Sequence, residues 1–191
     1  MTEKRREVSY YPEIMSAIKE QIESNFRSAE RKLHVFTCIG ELSAGLRKLV
    51  NDHPDTCSCV RDFADRVPPL SLDIFALITN GIKYELLILE VKVGKSAGLS
   101  EWSQLLGYCV VSNAEYGLLV NINNGASSRL QNLLRNEPHV SQIVRDVSGE
   151  MVTHKLGFLE WNSNTVNFEY SNMGKIRSIS ALCESIAEKF E

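Results

Sequence analysis

The chain has 191 residues, enough for one domain with a sizeable core. With 43% hydrophobic and 24% charged residues, it is neither as polar as a disordered chain nor apolar enough anywhere to span a bilayer. A formal net charge of −3 excludes a protein that coats nucleic acid by bulk electrostatics, while leaving room for a local basic face. The charged start, Met1 to Glu7, leads into no apolar segment of the secretory kind. Five irregularly spaced cysteines suit reduced thiols, so a cytoplasmic protein with no membrane association is expected.

In chain order, Ile14, Ala17, Ile18, Ile22 and Phe26 predict an amphipathic helix from Pro12 to about Arg27. Leu33 to Ile39 is β-branched and aromatic, a strand closed by Gly40, and a second helix is expected from Glu41 to about Val50. Asp55 to Pro69 carries the least signal, and Pro68-Pro69 launches the following segment extended. Two strands follow, Leu70–Ile78 and Tyr84–Val93, around Asn80-Gly81, the dipeptide favoured in a two-residue type I′ turn. A helix from about Ser100 to Ser112 and a buried strand Tyr116–Ile122 come next, and a crossover of that length predicts parallel pairing. Beyond lie a helix near 127–134, a weaker hairpin of about 153–161 and 165–170, and a closing helix from Lys175. The apolar stripe of that last helix is Ile176, Ile179, Leu182, Ile186 and Phe190. The expected fold is α/β: a single domain (1–191) with a mixed central sheet flanked by helices, a core of about 12–123, and a C-terminal hairpin and helix over 124–191.

The candidate site lies on the hairpin. A two-residue turn pairs residues whose numbers sum to 161, which sets Asp73 opposite Ile88 and diagonal to Glu90 on one face. Lys92, two residues after Glu90, points to that face as well. Two carboxylates and an ammonium therefore converge at the end of an otherwise apolar hairpin. Burying such charge without a partner costs several kcal/mol, so these groups must be paired, metal-bound or at a cleft.

Asp73 followed by Glu90-Val91-Lys92, with prolines before and a helix and strand after, resembles the PD-(D/E)XK nuclease superfamily over about Pro69 to Asn123. The proline–aspartate dipeptide itself is not kept, since Leu70, Ser71 and Leu72 intervene. Gln104 and Tyr108 look like the Q-x-x-x-Y motif of RecB-like members and share a helix face at i, i+4. The resemblance implies a restriction-endonuclease-like fold and Mg²⁺- or Mn²⁺-dependent hydrolysis of phosphodiesters in nucleic acid, DNA before RNA. It makes Asp73, Glu90 and the Val91 carbonyl metal ligands and Lys92 the residue that orients water or stabilises charge. Gln104 would position the site or touch the backbone. Tyr108 would bind phosphate or simply pack its helix, and Lys95 would join the phosphate track. A further acid often comes from the first helix in this superfamily, with Glu13, Glu20 and Glu41 as candidates.

Other constellations carry less. His53, Cys57 and Cys59 lack the fourth ligand of structural zinc, and Gly94-Lys95-Ser96 lacks the upstream glycine of a phosphate loop. Two rival readings remain: a catalytically degenerate module of the same fold used for binding or assembly, and an α/β protein whose Glu90-Val91-Lys92 is a plain ion pair. No separate recognition domain is evident, which leaves room for a homodimer or larger assembly.

Overall fold

The computed structural model describes residues 6–28, 33–147 and 149–191. A 3₁₀ turn, Glu7–Tyr10, runs directly into α1, Tyr11–Ser28. Pro12 occupies α1's first turn, where an N–H has no helical partner to lose. Ile14, Ile18, Ile22 and Phe26, one per turn, are all buried. Strand β1, His34–Glu41, continues one residue past Gly40, which takes a φ of 85°, and α2 follows at Leu42–Asp52. The stretch of weak signal holds two short helices, α3 (Pro54–Cys57) and α4 (Arg61–Arg66), joined by a 3₁₀ turn. Cys57, Val60 and Ala64 bury one face of that unit, a periodicity too short to stand out in the sequence.

Strands β2 (Ser71–Thr79) and β3 (Tyr84–Val93) pair antiparallel, and α5 (Leu99–Ser112) carries the chain to β4 (Tyr116–Ile122), parallel to β3. After α6 (Ser128–Asn136) come β5 (Gln142–Val147), β6 (Glu150–Asn162), β7 (Asn167–Glu169) and α7 (Ile179–Ala187). The order β1-β2-β3-β4-β6-β5, with β7 also on β6, is one mixed seven-stranded sheet flanked by helices, as expected of an α/β fold. No described helix is long and apolar enough to cross a membrane.

Three local expectations are corrected. The hairpin is closed by four residues, Asn80 to Lys83, not by a two-residue turn, and paired residues sum to 163 rather than 161. A type I′ turn needs φ > 0 at both central residues, and here only Gly81 takes it. Asn80 instead uses its side chain: Oδ1 accepts the N–H groups of Ile82 (3.0 Å) and Lys83 (2.8 Å), an Asx arrangement. Strand β5 is absent from the sequence reading because it has no buried face; all its residues are half-buried or exposed. The last helix begins at Ile179, not Lys175. The Lys175 and Ile176 N–H groups donate to Leu156 O, which keeps that segment extended along β6, and the Ser178 hydroxyl caps the helix by accepting the Ala181 N–H.

The sheet separates two apolar layers. Ile74, Ala76, Ile78, Leu87, Leu89 and Val91 face α1 and α7, whereas Phe75, Leu77, Leu86 and Ile88 face α2, α5 and α6. Within this frame, buried His154 ties strand to helix. Its Nδ1 lies 2.7 Å from Ala114 O, so that nitrogen carries the proton, and Nε2 accepts from Arg145 Nε at 2.8 Å. Arg145 also donates to Val110 O and Asn113 Oδ1 at the end of α5. Burial, with the Arg145 charge assisting, holds the His154 pKa below its ordinary value against the pull of Ala114 O. The folded state thus resists protonation more than the unfolded chain does. Stability from this site is complete above the unfolded value, about 6.5, and is lost as pH falls through the lower folded value. Thermal melts from pH 8 to 5 should show wild type losing its advantage over His154→Gln on the acid side; a constant difference would overturn this.

Candidate active site

Glu90 and Lys92 extend the row of Leu86 and Ile88 on β3, so strand alternation alone sets them on one face. Asp73 reaches them from β2 through a β-bulge. Between Cys38↔Phe75 and Gly40↔Leu72, β2 spends two residues, Asp73 and Ile74, against Ile39 alone. In consequence Leu72 and Phe75, three apart, share a layer. The register that ends at Ile74↔Leu89 brings Asp73 level with Glu90, which corrects the expected diagonal placement while keeping the shared face.

At this point the two strands part. Asp73 Oδ2 accepts the Val91 N–H at 2.9 Å, so a side chain substitutes for the next rung of the ladder. The N–H and C=O of one extended residue point to the same edge, so the Val91 carbonyl opens onto the same gap.

Lys92 Nζ is the centre of the cluster. It lies 2.8 Å from Glu90 Oε1, 3.5 Å from Asp73 Oδ2 and 3.6 Å from Glu7 Oε1. Glu90 is only 1% exposed, and its Oε1, though close to Lys92, receives no well-angled hydrogen bond. Burial pushes Glu90 up to about 7, helped by the negative charges of Asp73 and Glu7 and opposed by Lys92. Burial alone would lower Lys92, but the three carboxylates outweigh it and hold the ammonium above its ordinary value.

Glu7 and Tyr11 are the members that the sequence reading missed. Tyr11 donates its hydroxyl to Glu7 Oε1 at 3.3 Å and lies against Asp73. Burial and these carboxylates raise its pKa far above the ordinary phenol value, so it stays a proton donor. The available signal was an acid and a tyrosine at i, i+4 across the start of the first helix. The acid from outside the hairpin beside Lys92 is thus Glu7, whereas Glu20 and Glu41 accept from Ser16 and Ser43.

The remaining candidates lie on or before α5. Gln104 Nε2 donates to Tyr108 Oη at 2.9 Å, as expected of residues sharing a helix face, and neither has a described bond to Asp73, Glu90 or Lys92. Lys95 is exposed and pairs with Glu101 (3.2 Å), whose carboxylate also accepts the Gly98 N–H at the start of α5. Among the described residues no three His, Cys, Asp or Glu side chains are grouped to hold a metal ion by themselves. The donors on offer are Asp73, Glu90 and the Val91 carbonyl, all hard oxygens. With water completing the shell, that set fits Mg²⁺ or Mn²⁺, since Mg²⁺ is commonly held by one or two carboxylates. Comparison with known proteins adds no relative: no family model, no curated protein and no solved structure matches the chain.

Proposed function

We propose that the protein is a metal-dependent nuclease of the cytosol that hydrolyses phosphodiester bonds in nucleic acid, DNA foremost. The observation that carries this reading is the convergence of Asp73, Glu90 and Glu7 on Lys92 where β2 and β3 separate. Like carboxylates gathered at a strand fork are costly for stability alone. The cytosolic setting agrees with five cysteines that are all unpaired.

Asp73, Glu90 and the Val91 carbonyl would hold Mg²⁺ or Mn²⁺. Such an ion polarises a phosphoryl oxygen and lowers the pKa of its bound water. Lys92 supplies the chain's own positive charge beside these acids, positioned to orient the attacking water or to stabilise the charge that develops on phosphate. Glu7 and Tyr11 hold Lys92 and Asp73 in place through the contacts already described. Gln104, Tyr108 and Lys95 are assigned to the nucleic-acid backbone.

One observation favours a second reading, a structural ion-pair cluster in a module without catalysis: Lys92 already forms an ion pair with each of the three carboxylates. The two separate on incubation of pure protein with single-stranded, duplex and branched DNA and RNA. Mg²⁺ or Mn²⁺ should support cleavage and excess chelator abolish it. Ca²⁺, which takes more ligands in looser geometry, should permit binding with little turnover. Robust cleavage in excess chelator would eliminate the metal mechanism.

A further inference from the structure

Beside the carboxylate cluster lies an open slot of about 360 Å³. Val8, Pro12, Met15, Ile39 and Leu72 form its apolar walls, and Tyr11, Gly40 and Asp73 complete the lining. Val8 and Ile39 are 62% and 58% exposed. Single exposed apolar residues carry no message, but here two of them line one cavity that shares a carboxylate with the candidate catalytic cluster.

We infer that this slot receives an unstacked nucleobase of the nucleotide next to the phosphate being cut, so that the substrate is single-stranded or locally unpaired nucleic acid. The inference rests on the nuclease reading for the identity of its ligand. The side chains of Val8, Pro12, Met15, Ile39 and Leu72 offer an anionic phosphate neither positive charge nor a hydrogen-bond donor. In nucleic acid, the group held a few bonds from every phosphate is a base with apolar faces and a polar edge. The walls suit the faces, and the slot's polar end, at Asp73 and Tyr11, is where the edge would lie. The volume lies at the lower end of small-molecule sites, about 300–1,000 Å³, which is ample for one base. A base inside a duplex reaches such a slot only after extrusion from the stack, at a cost of roughly a few kcal/mol; an unpaired strand is spared that step.

The test uses fluorescence anisotropy of the full chain in Ca²⁺ with labelled oligonucleotides in which one abasic position is moved along the strand. Cleavage in Mg²⁺ and Mn²⁺ is measured in parallel. One position should weaken wild-type binding by about tenfold, the usual order for losing one stacked base, and a duplex of the same sequence should bind about tenfold more weakly or worse. Ile39→Asp should weaken binding to the intact strand comparably and add nothing on the strand abasic at that position. Val8→Ser, on the exposed 3₁₀ turn, should reproduce this more mildly and guards against a folding defect. A flat abasic scan, losses that add, or equal binding of duplex and single strand each overturn the inference. So does a dimer lost in Ile39→Asp with oligonucleotide binding unchanged, which would give the slot to a second copy. Base-dependent binding with no cleavage would sustain the slot and remove the nuclease reading; cleavage with a flat scan would do the reverse.

Discussion

Lys92→Ala should lower phosphodiester cleavage by about 10²–10³-fold, the usual cost of one electrostatic stabiliser of a transition state, while metal uptake persists. Glu90→Gln should depress both, because it removes a ligand charge; metal titration by calorimetry separates the two variants. The structure also dictates how Lys92→Ala behaves as a protein. Glu90 is buried and already raised to about 7, so near neutral pH it answers the loss of its counter-charge by taking a proton. A carboxyl raised in the folded state contributes stability at low pH that disappears as pH rises through the folded value. The melting temperature of Lys92→Ala should therefore drop further below wild type as pH rises from 6 to 8. If cleavage per folded molecule survives in Lys92→Ala, the lysine is a structural counter-ion and the ion-pair reading is correct.

The second large effect is expected on β6, two strands from β3. Gly157 on β6 pairs with Leu118 on one edge and bridges Ile176 on the other. A methyl group there would run into the Ile176 carbonyl oxygen and stand 2.7 Å from its Cβ, neither of which is the free end of a flexible chain. Gly157→Ala should destabilise by about 3 kcal/mol, the upper range for overpacking, or about 10 °C in melting temperature for a chain of this length. Gly107 is the control, since a Cβ added on its exposed face of α5 meets nothing. Gly107→Ala should stabilise by about 0.5–1 kcal/mol through helix propensity alone. Equal and small changes at both positions would show that the 171–177 segment yields to the added atom.

The site was more legible in the sequence than the turn on which its register was argued. Asn80-Gly81 suggested two loop residues and the molecule uses four, yet the slip of two leaves Asp73, Glu90 and Lys92 on a shared face because strand side chains repeat every two residues. An error of one would have dispersed them. The bulge at Asp73–Ile74 has no sequence mark, since it is set by how β1 lies against β2. Glu7 was hidden for another reason: its one local mark is Tyr11 at i+4, and its role comes from Lys92, far along the chain. Helix α1 and strand β4 were legible because each buries a regular pattern; β5, with no buried face, has nothing to repeat.

Asp73 is also the catch that holds the sheet shut at its fork. Its carboxylate stands in for a backbone partner of Val91, so the last rung between β2 and β3 depends on a side chain that the cleft also claims. Any ligand that turned this carboxylate outward would unlatch the Val91 amide and lengthen the gap between the strands. Conversely, a sheet kept closed at that rung would hold the acid back from its ligand. Occupancy of the cleft and closure of the strand pair are in this way two readings of the position of one carboxylate.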